Sequence, residues 1–194
     1  MQMPCVNGTQ AIRRIDLLMR TNDTHTPTPN SVVWGPLSGF VLTVALIGLV
    51  IDQGAKLWLL YSVDLGSTGP YRLLPVLDIV LVWNRGISYG LFQQYSDLGR
   101  WLLAGLTVVA TIALWIWSVR TLDKFVALAL ALIIGGALGN GFDRIYHGAV
   151  VDFIHFHVGT FSWYVFNLAD VWIVAGVIGL LFDSFFRSPN SAAK

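Results

Sequence analysis

The chain has 194 residues, 55% of them hydrophobic and only 12% charged, with a formal net charge of +1. Soluble domains average about 25% charged residues, so this is the composition of a membrane protein, with room for one compact unit. A near-neutral chain without a basic stripe cannot neutralise phosphates, which excludes nucleic acid as a partner. The lone Cys5 excludes an internal disulfide.

Residues 1–31 are polar, carry Arg13, Arg14 and Arg20, and end in Thr26-Pro27-Thr28-Pro29-Asn30. Such a stretch buries too little apolar surface to order itself, and it reads as a flexible cytoplasmic tail. Asp16 and Asp23 argue against a transit peptide, and Met19 is an alternative start that an intact-mass measurement would decide.

Apolar runs follow at Val32–Ile51, Trp101–Val119, Phe125–Phe142 and Phe161–Phe182, the last interrupted only by Asp170. A helix needs about 20 residues to cross the hydrocarbon core, so each is long enough to span. An even number of spans puts both termini on one side. Arg13, Arg14, Arg20, Arg120, Lys124, Arg187 and Lys194 then lie on the terminal side, which the positive-inside rule makes cytoplasmic. Residues 188–194 form a second cytoplasmic tail, and Asp52, Asp64, Asp78, Asp97, Asp143, Asp152 and Asp170 fall on or near the outer side.

The first span runs into Asp52-Gln53-Gly54-Ala55-Lys56, where Asp52 and Lys56 can pair at i and i+4 on one helix face. An outer β element is expected over about 66–98. Gly66-Ser67-Thr68-Gly69-Pro70 reads as a loop, and Leu77–Trp83 with Ser88–Phe92 as a hairpin about Asn84-Arg85-Gly86. Lipid cannot satisfy an open sheet edge, so this element belongs at the interface. The third span ends in glycines, and Gly135 and Gly139 form a small-residue pair for close helix packing. Beyond it, Val150–His157 alternates as an extended chain, with Asp152, Ile154 and Phe156 on one face.

Charges in apolar segments are functional candidates, because each costs at least about 2.5 kcal/mol at the bilayer centre. Asn140-x-x-Asp143 and Asn167-x-x-Asp170 repeat one pattern at the outer ends of adjacent spans, setting an amide beside a carboxylate. Two carboxylates brought together at low dielectric share a proton, so one can act as base on water and the other as acid. That is aspartic-protease chemistry. Which two of Asp143, Asp152 and Asp170 form the pair stays open on this reasoning, although Arg144 beside Asp143 favours a salt-bridge role for that acid. His147, His155 and His157 lack the spacing of a zinc site, so no metal is expected. A proton-coupled carrier using the same acids as a relay is the rival reading, weakened by the absence of an evident inverted repeat.

Five pieces in this order on a four-span chain resemble the lipoprotein signal peptidase (signal peptidase II) family. They are Asp52-Gln-Gly-Ala-Lys56, Asn84-Arg-Gly-Ile-Ser-Tyr-Gly90, Gly139-Asn-Gly-Phe-Asp-Arg144, Val150-Val-Asp-Phe-Ile154 and Phe166-Asn-Leu-Ala-Asp170. The resemblance covers roughly residues 36–186 and implies that Asp152 and Asp170 are the catalytic dyad. It implies that Asn140, Asp143, Arg144 and Asn167 surround the dyad, that Asn84 belongs to the outer sheet, and that Asp52 and Lys56 form a supporting pair. It implies no cofactor, and as substrate a prolipoprotein whose Cys carries diacylglycerol, cleaved on the amino side of that Cys. The expected architecture is a mostly α membrane protein, its peptidase domain at 32–187. It has four transmembrane helices, a small extracytoplasmic β-sheet and an interfacial helix. A monomer in the bacterial inner membrane, in contact with lipid, is expected. The outer hairpin and the helix around Asp52–Tyr61 are expected to clamp the peptide.

Overall fold

The computed structural model describes residues 33–86 and 97–187. The two expected tails, Cys5, Met19 and the second hairpin strand Ser88–Phe92 lie outside the described residues.

Helix α1 spans Ser38–Leu57 and continues as a π-helical turn, Trp58–Ser62. It runs past the expected end at Ile51 because Asp52 and Lys56 face inward, both buried, and do not meet lipid. A single turn, α2 (Leu65–Thr68), leads into strands β1 (Tyr71–Leu74) and β2 (Leu77–Asn84). Helices α3 (Asp97–Arg120) and α4 (Lys124–Tyr146) follow. Then come β3 (Val150–Val158), β4 (Phe161–Ser162) and α5 (Leu168–Phe182), which ends in a π-helical turn, Asp183–Arg187. The α1, α3, α4 and α5 segments are each long and apolar enough to cross a membrane.

The fourth span begins at Leu168 and not at Phe161. Phe161–Ser162 pairs with β3, and Phe166 exchanges backbone hydrogen bonds with Ile154 at 2.8 and 3.0 Å. The aromatic and β-branched run Phe161–Phe166 therefore pairs as extended chain, and the helix opens only where Asn167 caps it.

The strands form an antiparallel sheet in the order β1-β2-β3-β4. Among the described residues, β2 pairs with β1 on one side and β3 on the other, with Val82 opposite Asp152 and Asn84 opposite Val150. Strands β1 and β2 form a hairpin across Pro75-Val76, and the first three residues of the stretch expected as a loop, Gly66, Ser67 and Thr68, lie in the helical turn α2.

Helix α4 is the hub, packed against α1, α3 and α5 and more buried than any of them. Its glycines permit this. A Cβ at Gly135 would sit 2.7 Å from the backbone oxygen of Ala45 on α1, and one at Gly139 would sit 2.6 Å from Asp52 Oδ2. The lipid-facing sides of α3 and α5 expose Leu102, Leu106, Val109, Val174, Ile178 and Leu181. At the end remote from the sheet, Asp123 accepts the N–H groups of Phe125 and Val126 and caps α4. Arg187 Nη2 lies 2.9 Å from Asp123 Oδ2 and its guanidinium covers the Phe125 ring, tying the end of α5 to the α3–α4 turn. The Phe125 N–H, with help from Val126 and Arg187, holds the Asp123 carboxyl below the usual range.

Candidate active site

Side chains from α1, α4, β2, β3 and α5 converge at the sheet end of the bundle. The last turns of α4 supply Asn140, Asp143 and Arg144. The chain then turns through Gly148, whose φ of 78° suits a residue without Cβ, and enters β3, which carries Asp152. Asp170 lies in the first turn of α5, where Asn167 takes its backbone N–H at 3.0 Å and Asp170 Oδ2 accepts that of Asn167 at 3.3 Å. This reciprocal capping box fixes Asp170 against the helix end.

The two asparagines serve acids on other elements. Asn140 Nδ2 donates to Asp170 Oδ1 at 2.8 Å. Asn167 Nδ2 lies 2.6 Å from Asp152 Oδ1 and 3.0 Å from Asn140 Oδ1. Asn84, at the end of β2, donates to Asp152 Oδ2 at 2.9 Å. The expected local pairing of Asn140 with Asp143 at i and i+3 is therefore replaced by a crossed one, since the amide reaches to α5. Asp152 and Asp170 become linked through two amides.

Asp143 does take a structural ion pair, but with Lys56 and not with Arg144. Lys56 Nζ lies 2.8 Å from both Asp143 Oδ2 and Asp52 Oδ2, with all three residues buried. Arg144 points elsewhere, donating to the backbone oxygens of Asn140 (3.2 Å) and Gly86 (3.0 Å), within electrostatic reach of Asp170 and Asp152. The Asp52–Lys56 pair read from the sequence is thus present as one arm of a buried triad. Buried ions are tolerable only when further hydrogen bonds complete them. Here the carboxylates also accept the N–H of Ala169 (2.9 Å), the N–H of Val151 (3.1 Å) and the Gln53 amide.

Gln53, Gly86 and Arg100 belong to the site's support and were not singled out from the sequence. Arg100 on α3 holds the end of α4 through the oxygens of Arg144 (2.9 Å) and Ile145 (2.7 Å). The Gln53 signal was available, because an amide inside a span at i+1 from an acid has the same burden of satisfaction.

Asp152 is 1% exposed, and burial, reinforced by the nearby Asp170 charge, raises its pKa from 3.8 to about 7. The Asn84 and Asn167 donors and the Lys56 charge oppose the rise. Beside Asp170 an apolar cavity of about 340 Å³ runs along α5, lined by Phe166, Val171, Val174 and Ile178. The histidines stand apart from this cluster: His155 bonds Ser162, His157 bonds Asp78, and His147 packs on Trp83 and Tyr146. No metal-holding group of three His, Cys, Asp or Glu occurs among the described residues.

Fold and site together define a multi-pass membrane protein built around a buried carboxylate, Asp152, and a half-buried one, Asp170, joined by hydrogen bonds through the side-chain amides of Asn140 and Asn167. A family model described as signal peptidase (SPase) II matches residues 44–186. The lipoprotein signal peptidase of Methylorubrum extorquens (strain PA1) is 53% identical over 150 residues, covering 77% of this chain and 88% of the relative. That of Nitrobacter hamburgensis is 52% identical over 160 residues, covering 80% and 96%. A bacterial membrane enzyme structure obtained by the in meso method at 2.3 Å resolution is similar with a TM-score of 0.70 and 26% identity, covering 80% of this chain and 93% of that one. The chain belongs to the signal peptidase II family, and it is a protease.

Proposed function

We propose that this protein removes signal peptides from prolipoproteins, with Asp152 and Asp170 as its catalytic dyad. The substrate is a prolipoprotein whose Cys already carries diacylglycerol, and the cut falls on the amino side of that Cys. The observation that carries this reading is the division of labour among the acids. Asp143 and Asp52 are committed to Lys56, whereas the hydrogen bonds seen to Asp152 and Asp170 among the described residues come from neutral amide and backbone N–H donors.

A pair sharing one proton performs the hydrolysis in two steps. The ionised carboxylate takes a proton from water, whose oxygen attacks the scissile carbonyl carbon, while the protonated carboxyl donates to the carbonyl oxygen. The tetrahedral diol then collapses. One carboxylate recovers a proton from the diol hydroxyl, and the other delivers one to the departing nitrogen, so that C–N breaks and the pair returns to its starting state. The pKa of about 7 at Asp152 supports a shared proton at neutral pH. The apolar cavity beside Asp170 suits an occupant that is itself apolar, and a lipidated Cys keeps the scissile bond at membrane level.

The protein is a multi-pass protein of the bacterial inner membrane. Its termini lie in the cytoplasm and its site faces outward, a reading supported by the basic turn Arg120–Lys124 at the opposite end of the bundle. Residues 32–187 form the peptidase domain, which acts as a monomer without cofactor. Asn84, Asn140 and Asn167 orient the dyad, Arg144 supplies positive charge beside it, and Asp52, Lys56 and Asp143 support it.

The deciding experiment is cleavage of a diacylglyceryl-modified prolipoprotein by the purified protein in detergent, beside folded Asp152→Asn and Asp170→Asn variants. Cleavage by the wild type and loss in both variants is the expected result. Full cleavage by either variant would break the dyad assignment.

A further inference from the structure

The buried triad touches the chain immediately upstream of both dyad members. Asp52 Oδ1 accepts the backbone N–H of Ala169, the residue before Asp170, at 2.9 Å. Asp143 Oδ2 accepts the backbone N–H of Val151, the residue before Asp152, at 3.1 Å. These two anchors belong to different helices, α1 and α4, and hold different elements, α5 and β3. What joins the anchors is Lys56, whose Nζ sits 2.8 Å from each carboxylate. Gln53 spans the same gap from the same helix, with Nε2 2.9 Å from Asp143 Oδ1 and 3.2 Å from Asp52 Oδ2 and the Gly139 oxygen.

We infer that Lys56 and Gln53 are positioning residues that set the separation of Asp152 and Asp170, by bridging the two carboxylates that hold the backbone just before each of them. This rests on the assignment of Asp152 and Asp170 as the reacting pair.

The physical argument has three parts. First, the anchors are directional. The Ala169 N–H is one of the groups a helix start leaves unpaired, and Asn167 takes only that of Asp170, so α5 has a second fixed point supplied by α1. An anionic side chain at that position also suits the positive end of the helix. Second, the bridge is dry. Lys56 is 1% exposed and both its acids are 0% exposed, so the charges are screened little and the geometry is held stiffly. Without the ammonium, Asp52 and Asp143 would repel and each would draw its own anchor with it. Third, Lys56 Nζ lies 3.4 Å from Asn140 Oδ1, which turns the Asn140 amide so that Nδ2 faces Asp170. The bridge therefore sets both the spacing of the backbone and the aim of one amide.

A device of this kind acts on the rate of the chemical step and not on substrate affinity. The test measures kcat, KM, the pH profile of kcat and the melting temperature of the full-length protein. Lys56→Gln, Lys56→Arg and Gln53→Leu are compared, with Asp152→Asn and Asp170→Asn in parallel and diacylglyceryl-modified prolipoprotein as substrate. Misplacement of reacting groups by an ångström costs up to about a hundredfold, so Lys56→Gln is expected to lose about that in kcat, and Gln53→Leu about tenfold, with KM within about twofold of wild type. The limbs of the pH profile should move in both, because the coupling of two carboxyls depends on their distance. Lys56→Arg, which can still bridge two carboxylates, should recover part of the loss.

Wild-type kcat and pH profile per folded molecule in Lys56→Gln and Gln53→Leu, however low their melting temperatures, would overturn the inference. So would a rise in KM at unchanged kcat. If Lys56→Gln does not fold, Gln53→Leu and Lys56→Arg decide on the same criteria. Inactive dyad variants beside unaffected Lys56→Gln and Gln53→Leu sink the positioning role alone, whereas active dyad variants sink the dyad reading beneath it.

Discussion

Asn167 donates to Asp152 Oδ1 at 2.6 Å with the same side chain whose oxygen caps α5 at the N–H of Asp170. One residue thus couples the orientation of one dyad carboxyl to the helix start that carries the other. Asn167→Ala should lose both, with a stability decrease of about 1 kcal/mol, the usual cost of a lost cap. Asn167→Ser separates the two roles, because a hydroxyl can still cap but is too short to reach Asp152. Melting temperature near wild type with kcat reduced by roughly tenfold or more is expected for Ser, as for loss of a group that orients a general acid or base. Equal kcat in Asn167→Ser and wild type would show that the contact with Asp152 is idle.

The raised pKa of Asp152 predicts the alkaline side of the pH profile. A pair that needs one shared proton loses it as pH rises through about 7, so kcat should fall there. Asn84 donates to the Asp152 carboxylate and so favours its charged form. Removing that donor in Asn84→Leu should move the alkaline limb to higher pH. A limb that stays in place or moves downward would mean that the titrating group is not Asp152.

The same shift has a consequence for stability, with the opposite sense to most carboxylates. The folded state holds the Asp152 proton more tightly than the unfolded chain does, so ionisation opposes folding. The penalty is absent below about pH 4, grows as pH rises from 3.8 towards about 7 and is complete above it. Asp152→Asn removes it, and the variant should gain melting temperature relative to wild type between pH 5 and pH 8. The full shift corresponds to about 4 kcal/mol, an upper bound. Asn cannot accept from both Asn84 and Asn167, which reduces the gain. A melting-temperature difference that is flat across that range would contradict the raised pKa.

The spans were legible because an apolar run of bilayer length has few other uses, and the acids were legible because charge in such a run is costly. Helix ends were not. Asp52 and Lys56 look like the exit from the membrane, yet they neutralise one another with Asp143 and let α1 continue. Phe161–Phe166 looks like the entry to a span, yet its backbone pairs with β3, an outcome set by partners remote in sequence. The expected local pairing of Asn140 with Asp143 gives way to the crossed one for the same reason. Spacing at i and i+3 reports what a side chain can reach on its own helix, whereas Asn140 is turned towards α5 by Lys56 and Asn167.

Far from the site, Asp123 caps α4 and pairs with Arg187, which also pairs with Asp183 at 3.2 Å. Asp123→Ala removes the cap and the tie together and should lower the melting temperature. Arg187→Met removes only the tie and should lower it less, because exposed ion pairs contribute little. Cleavage at a temperature where both variants are folded should be unchanged. A larger effect from Arg187→Met than from Asp123→Ala would make the ion pair, and not the cap, the dominant contact.

Gly139 tests whether close packing of α4 matters to the site as well as to the bundle. A Cβ there would lie 2.6 Å from Asp52 Oδ2 and 3.3 Å from the Ala169 Cβ, so the first atom it meets is the oxygen that Lys56 and Gln53 share. Gly139→Ala must displace Asp52 or separate α4 from α1, and overpacking of this kind costs about 1–3 kcal/mol. Gly105, on the same bundle but with nothing within 4 Å of its Cβ position, is the control. Gly105→Ala should be neutral or slightly stabilising, since Ala is the better helix former. Gly139→Ala is expected to lose more activity than its melting temperature accounts for, because moving Asp52 also moves its hold on the Ala169 N–H beside Asp170. Measured at a temperature well below unfolding, equal kcat in Gly139→Ala and Gly105→Ala would show that the glycine serves helix packing alone.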